Sequence, residues 1–101
     1  MGKYQYSGSV DDKGHPDGIG KAVFSNGDYY EGPFVHGVMT GTNAHYSFKT
    51  GDSFNGEMRK DQFFKGTYTT DDGSFFTGSF SNGQPKHGTW CDKNGKKITE
   101  I

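Results

Sequence analysis

Apolar and polar side chains alternate along this chain with a period of two. In Tyr29-Tyr30-Glu31-Gly32-Pro33-Phe34-Val35, the residues Tyr30, Gly32 and Phe34 fall on one side of an extended backbone and Glu31 and Pro33 on the other. Such segments are predicted as strands. Between them stand Ser25-Asn26-Gly27-Asp28, Lys49-Thr50-Gly51-Asp52, Asp71-Asp72-Gly73-Ser74 and Lys93-Asn94-Gly95. Asn-Gly and Asp-Gly tolerate the positive φ of tight hairpin turns, so the pattern predicts antiparallel strand pairs. Longer links, Asp11 to Asp17 and His36 to Thr40, are expected at the other edge of the ribbon, with His15-Pro16-Asp17-Gly18 as a proline-initiated turn.

The strands recur as units. An aromatic residue stands two positions before a glycine at Tyr6-Ser7-Gly8, Tyr30-Glu31-Gly32, Phe54-Asn55-Gly56 and Phe76-Thr77-Gly78. The intervals between the rings are 30 − 6 = 24, 54 − 30 = 24 and 76 − 54 = 22 residues, a spacing that marks stacked repeats. The expected units are approximately residues 4–28, 29–52, 53–74 and 75–98 of a single domain spanning 1–101. A glycine leaves bare backbone over which a neighbouring ring can lie flat, so ring and glycine act as one device. Parity places Tyr6, Val10, Ala22, Phe24, Tyr30, Phe34, Tyr46, Phe48, Phe54, Met58, Tyr68, Phe76, Phe80 and Trp90 on one face with the glycines.

Composition sharpens the picture. Rings make up 16% of the chain and glycine 17 of its 101 residues, while leucine is absent, which argues against helices. The mean hydropathy of −0.91 suits a disordered chain, but disordered segments lack spaced aromatic anchors. A net charge of −1 gives no global attraction to nucleic acid or anionic membrane. Cys91 stands alone, so no internal disulfide can form. Met1-Gly2-Lys3-Tyr4 leads into no apolar run, which points to a cytoplasmic protein, and Gly2 lacks the hydroxyl residue of an acylation motif, position 6 being Tyr6.

Candidate chemistry is sparse. His15, His36, His45 and His87 fall in different units without the paired spacing of a metal site. Gly51-Asp52-Ser53-Phe54 has the letters of a lipase nucleophile block, but it sits where a hairpin turn is predicted. Asp11-Asp12 and Asp71-Asp72 lack further oxygen ligands at loop spacing and suit turn capping. Gly18-Ile19-Gly20 leads into a strand, not the helix a phosphate loop requires. The chain is therefore expected to be non-enzymatic, with no metal, cofactor or nucleic-acid partner.

Taken with the turns, the stretches Tyr6-Ser7-Gly8, Gly18-Ile19-Gly20, Tyr30-Glu31-Gly32-Pro33-Phe34, Phe54-Asn55-Gly56-Glu57-Met58, Gly66-Thr67-Tyr68, Phe76-Thr77-Gly78-Ser79-Phe80 and Gly88-Thr89-Trp90 resemble tandem MORN (membrane occupation and recognition nexus) repeats. Val10, Phe34, Met58 and Phe80 stand where that family usually has tryptophan. The resemblance implies an all-β, single-layer curved antiparallel sheet whose concave face is lined with rings. Partly uncovered rings form a recognition surface, so Tyr30, Phe34, Tyr46, Phe54, Tyr68, Phe76, Phe80 and Trp90 are the expected contacts to a protein or peptide partner. A small adaptor, or an inhibitor or neutraliser of a larger protein, is the expected role. The alternative is a peripheral membrane adaptor reading anionic phospholipid headgroups through Lys86, Lys93, Lys96 and Lys97. Unpaired edges near Tyr4 and Ile98 would also permit a homo-oligomer.

Overall fold

The computed structural model describes residues 3–101; Gly2, with its acylation question, lies outside them. The described chain is all-β, without a helix: β1 Tyr4–Val10, β2 Pro16–Phe24, β3 Tyr29–Val35, β4 Val38–Met39, β5 Gly41–Ser47, β6 Ser53–Arg59, β7 Gln62–Thr69, β8 Phe75–Ser81, β9 Gln84–Cys91 and β10 Lys97–Glu100. They form one open antiparallel sheet in the order β1-β2-β3-β5-β6-β7-β8-β9-β10, with the short β4 folded onto β3. Every connection is a hairpin or a short fold-back, most of them turned by a glycine.

Register turns the sequence repeat into rows across the sheet. One row runs Tyr6, Ala22, Tyr30, Tyr46, Phe54, Tyr68, Phe76, Trp90, each directly opposite the next. Beside it Gly8 faces Gly20, Gly20 faces Gly32, Ala44 faces Gly56, and Gly56, Gly66, Gly78 and Gly88 follow in sequence. The spacing is needed because the rings lie on that backbone. A methyl added at Gly20 would collide with the Tyr6 ring, and one at Gly88 would lie 2.6 Å from Phe76 Cζ.

The core sits on this ring-bearing face. Ala22, Tyr30, Phe54, Met58 and Phe76 are fully buried, and Phe24, Phe34, Met39, Ala44, Tyr46 and Phe80 nearly so. Each anchor ring meets a second ring four residues on, edge to face: Tyr30–Phe34 at 5.2 Å and Phe76–Phe80 at 5.3 Å, both inclined by 85°. Where that second position is Met58, Phe63 from the next strand stacks on Phe54 at 4.2 Å instead. In the first unit the position is Val10, which the parity argument put on the core face. Val10 is exposed, because β1 bulges after Gly8, and Phe34 meets Tyr6 at 5.1 Å in its place.

The turns are of two kinds. Phe24–Asp28, Phe48–Asp52, Thr70–Ser74 and Asp92–Lys96 share one pattern: the first N–H donates to the fifth carbonyl at 2.8–2.9 Å, and the glycine N–H donates to the first carbonyl at 2.9–3.0 Å. Asp11–His15 at the other edge has the same pattern, so the long link expected there is a tight turn and Pro16 opens β2 rather than a turn. The remaining turns on that edge have two central residues, His36-Gly37, Lys60-Asp61 and Asn82-Gly83, all with positive φ, as type I′ hairpins require.

Candidate functional site

The eight rings expected to contact a partner divide sharply. Tyr30, Phe34, Tyr46, Phe54, Phe76 and Phe80 are core residues, at most 5% exposed, whereas Tyr68 and Trp90 are half-buried. The expectation of an uncovered ring surface across all eight is therefore corrected. A single layer still seals these rings, because Tyr30, Phe54 and Phe76 lie against glycine backbone and Phe34, Tyr46 and Phe80 pack against neighbouring rings. What remains open is a smaller patch that the sequence reading did not isolate: Phe48, Phe63 and Tyr68, all half-buried, with Phe48–Phe63 at 5.9 Å, Phe48–Tyr68 at 5.7 Å and Phe63–Tyr68 at 6.4 Å. Phe63 was missed because β7 shifts register between Phe63 and Lys65, which displaces Phe63 from the parity of Gly66 and Tyr68.

The hydroxyl of Tyr68 shows how the patch is positioned. Tyr68 donates to Asp52 Oδ2 at 2.5 Å, and Asp52 Oδ1 accepts from the Asp71 N–H at 3.0 Å. One repeat earlier, Tyr46 donates to Asp28 Oδ2 at 2.8 Å and Asp28 Oδ1 accepts from the Lys49 N–H at 2.9 Å. The last residue of one turn thus clamps the next turn and the ring that precedes it. Burial works against the Asp28 charge, but the Lys49 N–H, the Tyr46 hydroxyl and the Asn26 amide outweigh it and hold the carboxyl below its usual range. Burial, then the Asp28 bond, raises the Tyr46 hydroxyl. At the third turn the clamp stops. Ser74 bonds Thr70 and Asp72 within its own turn, and Trp90 replaces the tyrosine.

The lysines proposed to read headgroups do not form one patch. Lys93 and Lys96 lie in the turn after β9, while Lys86 lies near the start of β9, roughly 17 Å away at about 3.3 Å per residue. Lys97 is ion-paired with Glu100.

At the opposite edge the fold joins residues that their spacing kept apart. His36 Nδ1 lies 2.9 Å and His15 Nδ1 3.3 Å from the same Asp11 Oδ2, and the His36 N–H donates to Asp17 Oδ1 at 3.0 Å. Asp11 also caps its own turn, accepting from the Lys13 and His15 N–H groups at 2.9 Å. The Asp11 bond raises the His36 pKa, and the His36 bond holds the Asp11 carboxyl well below its usual value. The adjoining open cavity, of about 590 Å³, is lined by Val10, Asp11, Asp12, Lys13, His15, Asp17 and His36, a set without a hydroxyl or thiol nucleophile. These contacts tie β1–β2 to the β3 turn. His45 is separate, 2.7 Å from Asn55 Oδ1 on the polar face. Among the described residues no group of three or more His, Cys, Asp or Glu could hold a metal ion, and no helix is long and apolar enough to cross a membrane.

No family model matches the chain.

Proposed function

We propose that this chain is a non-enzymatic protein-binding module, a MORN-type array that holds a protein or peptide partner and acts as a small adaptor or as an inhibitor of a larger protein. The observation that supports the reading is the half-buried patch of Phe48, Phe63 and Tyr68 on a sheet one layer thick, with Trp90 further along the same face. Rings held rigid by core neighbours yet open on one side bury much area on contact at little cost in side-chain entropy. In the repeat reading, the near-constant spacing of ring, glycine and turn supplies the scaffold, and local changes in ring identity decide what docks.

Immobilised chain and a Phe48→Ala/Tyr68→Ala variant, used at a temperature where circular dichroism shows both folded, provide the test. Proteins retained by the first and lost by the second support the ring patch; an identical set on both removes it. Co-sedimentation with vesicles containing phosphatidylserine, repeated at high salt, separates a headgroup reader from a protein binder, because only the former loses binding steeply with ionic strength.

A further inference from the structure

We propose that the free edge of β1 is a second docking site, which accepts one extended partner segment of sequence Gly-x-aromatic as an added antiparallel strand. This site is separate from the ring patch, so either can fail without the other.

The inference comes from the register of the sheet. In β7 and β8, Gly66 faces Gly78 and Tyr68 faces Phe76; in β5 and β6, Ala44 faces Gly56 and Tyr46 faces Phe54. A small-x-aromatic strand is thus paired with an aromatic-x-Gly strand. β1 carries Tyr6-x-Gly8 and, among the described residues, is paired on one side alone, so its other side presents an aromatic-x-Gly strand without its complement. Its hydrogen-bonding groups are correctly turned. Ser25 N donates to Lys3 O, which makes Lys3, Gln5 and Ser7 the residues bonded to β2 and leaves the N–H and C=O groups of Tyr4 and Tyr6 directed outward. In the β7–β8 pair, Thr70 N donates to Ser74 O, so by the same alternation Gly66 and Tyr68 bond toward the aromatic-x-Gly strand and Thr67 bonds away from it.

The two edges of the sheet differ in protection. β1 has no charged residue from Tyr4 to Val10, and Tyr4 and Tyr6 are half-buried, packed on Phe24 at 5.3 Å and Phe34 at 5.1 Å. β10 is four residues long, exposed along its whole length, broken by a bulge between Lys97 and Thr99, and charged at Lys97 and Glu100. Short, bulged and charged edges resist strand addition, and long uncharged ones invite it. β10 also lacks the aromatic-x-Gly pair.

A synthetic peptide with the sequence of residues 62–69, titrated into the isotopically labelled chain, tests the proposal by amide NMR. Binding should shift amides from Tyr4 to Gly8 and their partners on β2. A peptide N-methylated at its Thr67 equivalent should bind as the parent does. One N-methylated at its Gly66 and Tyr68 equivalents should bind about tenfold more weakly or worse, since two strand-pairing donors are lost. Replacing its glycine by valine should weaken binding through collision with Gly8. No binding at millimolar peptide, equal binding by the two methylated forms, or shifts centred on β10 or on the ring patch would each overturn the proposal.

Discussion

A ring in this sheet is worth what surrounds it, and Phe54 and Tyr68 give opposite cases. Phe54 is fully buried, stacked on Phe63 at 4.2 Å and edge-on to Phe80 at 5.4 Å. Phe54→Ala should cost about 3–5 kcal/mol in urea unfolding, a loss this thin fold has little other core to offset. Tyr68→Phe keeps the ring and removes the bond to Asp52, so about 1 kcal/mol is expected. Tyr68 was legible as a ring position, whereas its hydroxyl's partner was not, because Asp52 reads in sequence as one more turn residue. The same holds for His36 and Asp11, which lie 25 residues apart and meet through the β1–β2 and β3 turns. Their pH dependence follows from the signs. The His36 pKa is raised, so its contribution is complete below about pH 6.5 and disappears as pH rises through the higher folded value. The Asp11 pKa is lowered, so its contribution is complete above its ordinary value of 3.8 and disappears as pH falls through the lower folded value. The pair is therefore strongest between those limits. Thermal melts of the parent should lose more stability from pH 5 to pH 8 than those of His36→Asn, by a small margin that added salt erodes, since the His36 ring faces solvent.

Strands and turns were the most legible level, because a period-two pattern punctuated by Gly leaves few alternatives to antiparallel hairpins. The misreadings fall where one residue decides a turn. Asn82-Gly83 is a strong hairpin signal that forms a two-residue turn the sequence reading did not place, and Lys60-Asp61 forms an equivalent turn without glycine. Lys60 holds φ at 50° and Asp61 at 67°. Most side chains are strained in that region, Asn and Asp less than others and Gly least. Asp61 repays its strain by accepting from the Met39 N–H at 2.8 Å, but no such bond from the Lys60 side chain offsets its own. Lys60→Asn should therefore raise stability by a few tenths of a kcal/mol, read from the denaturation midpoint with the slope unchanged. Asp61→Gly relieves φ yet frees the Met39 N–H, so it should destabilise the chain despite the better turn conformer.

In a one-layer array each strand is stabilised by its neighbours alone, so stability is a sum of local steps and the weakest step decides where opening starts. The turn clamps identify that step. Asp28 joins the second turn of the series to the first and Asp52 joins the third to the second, whereas Ser74 makes no bond to Lys93 and Trp90 offers no hydroxyl. Acceptor and donor are missing together, at the junction that also carries the exposed β10. Among hydrogen-bonded amides, exchange should accordingly be fastest in β10, next in β9, and slowest from β3 to β8. The first turn supplies the means of repair, since Asn26, Asp28 and Tyr46 are the residues that correspond to Asp72, Ser74 and Trp90. Installing Ser74→Asp with Trp90→Tyr, in a background of Asp72→Asn to avoid adjacent carboxylates, should restore both bonds. A double-mutant cycle between positions 74 and 90 should then return a favourable coupling of about 1 kcal/mol, and protection should rise in β9 while that of β3 stays unchanged. A coupling near zero, or protection that rises uniformly, would mean that the clamps follow the stacking of the turns and do not strengthen it.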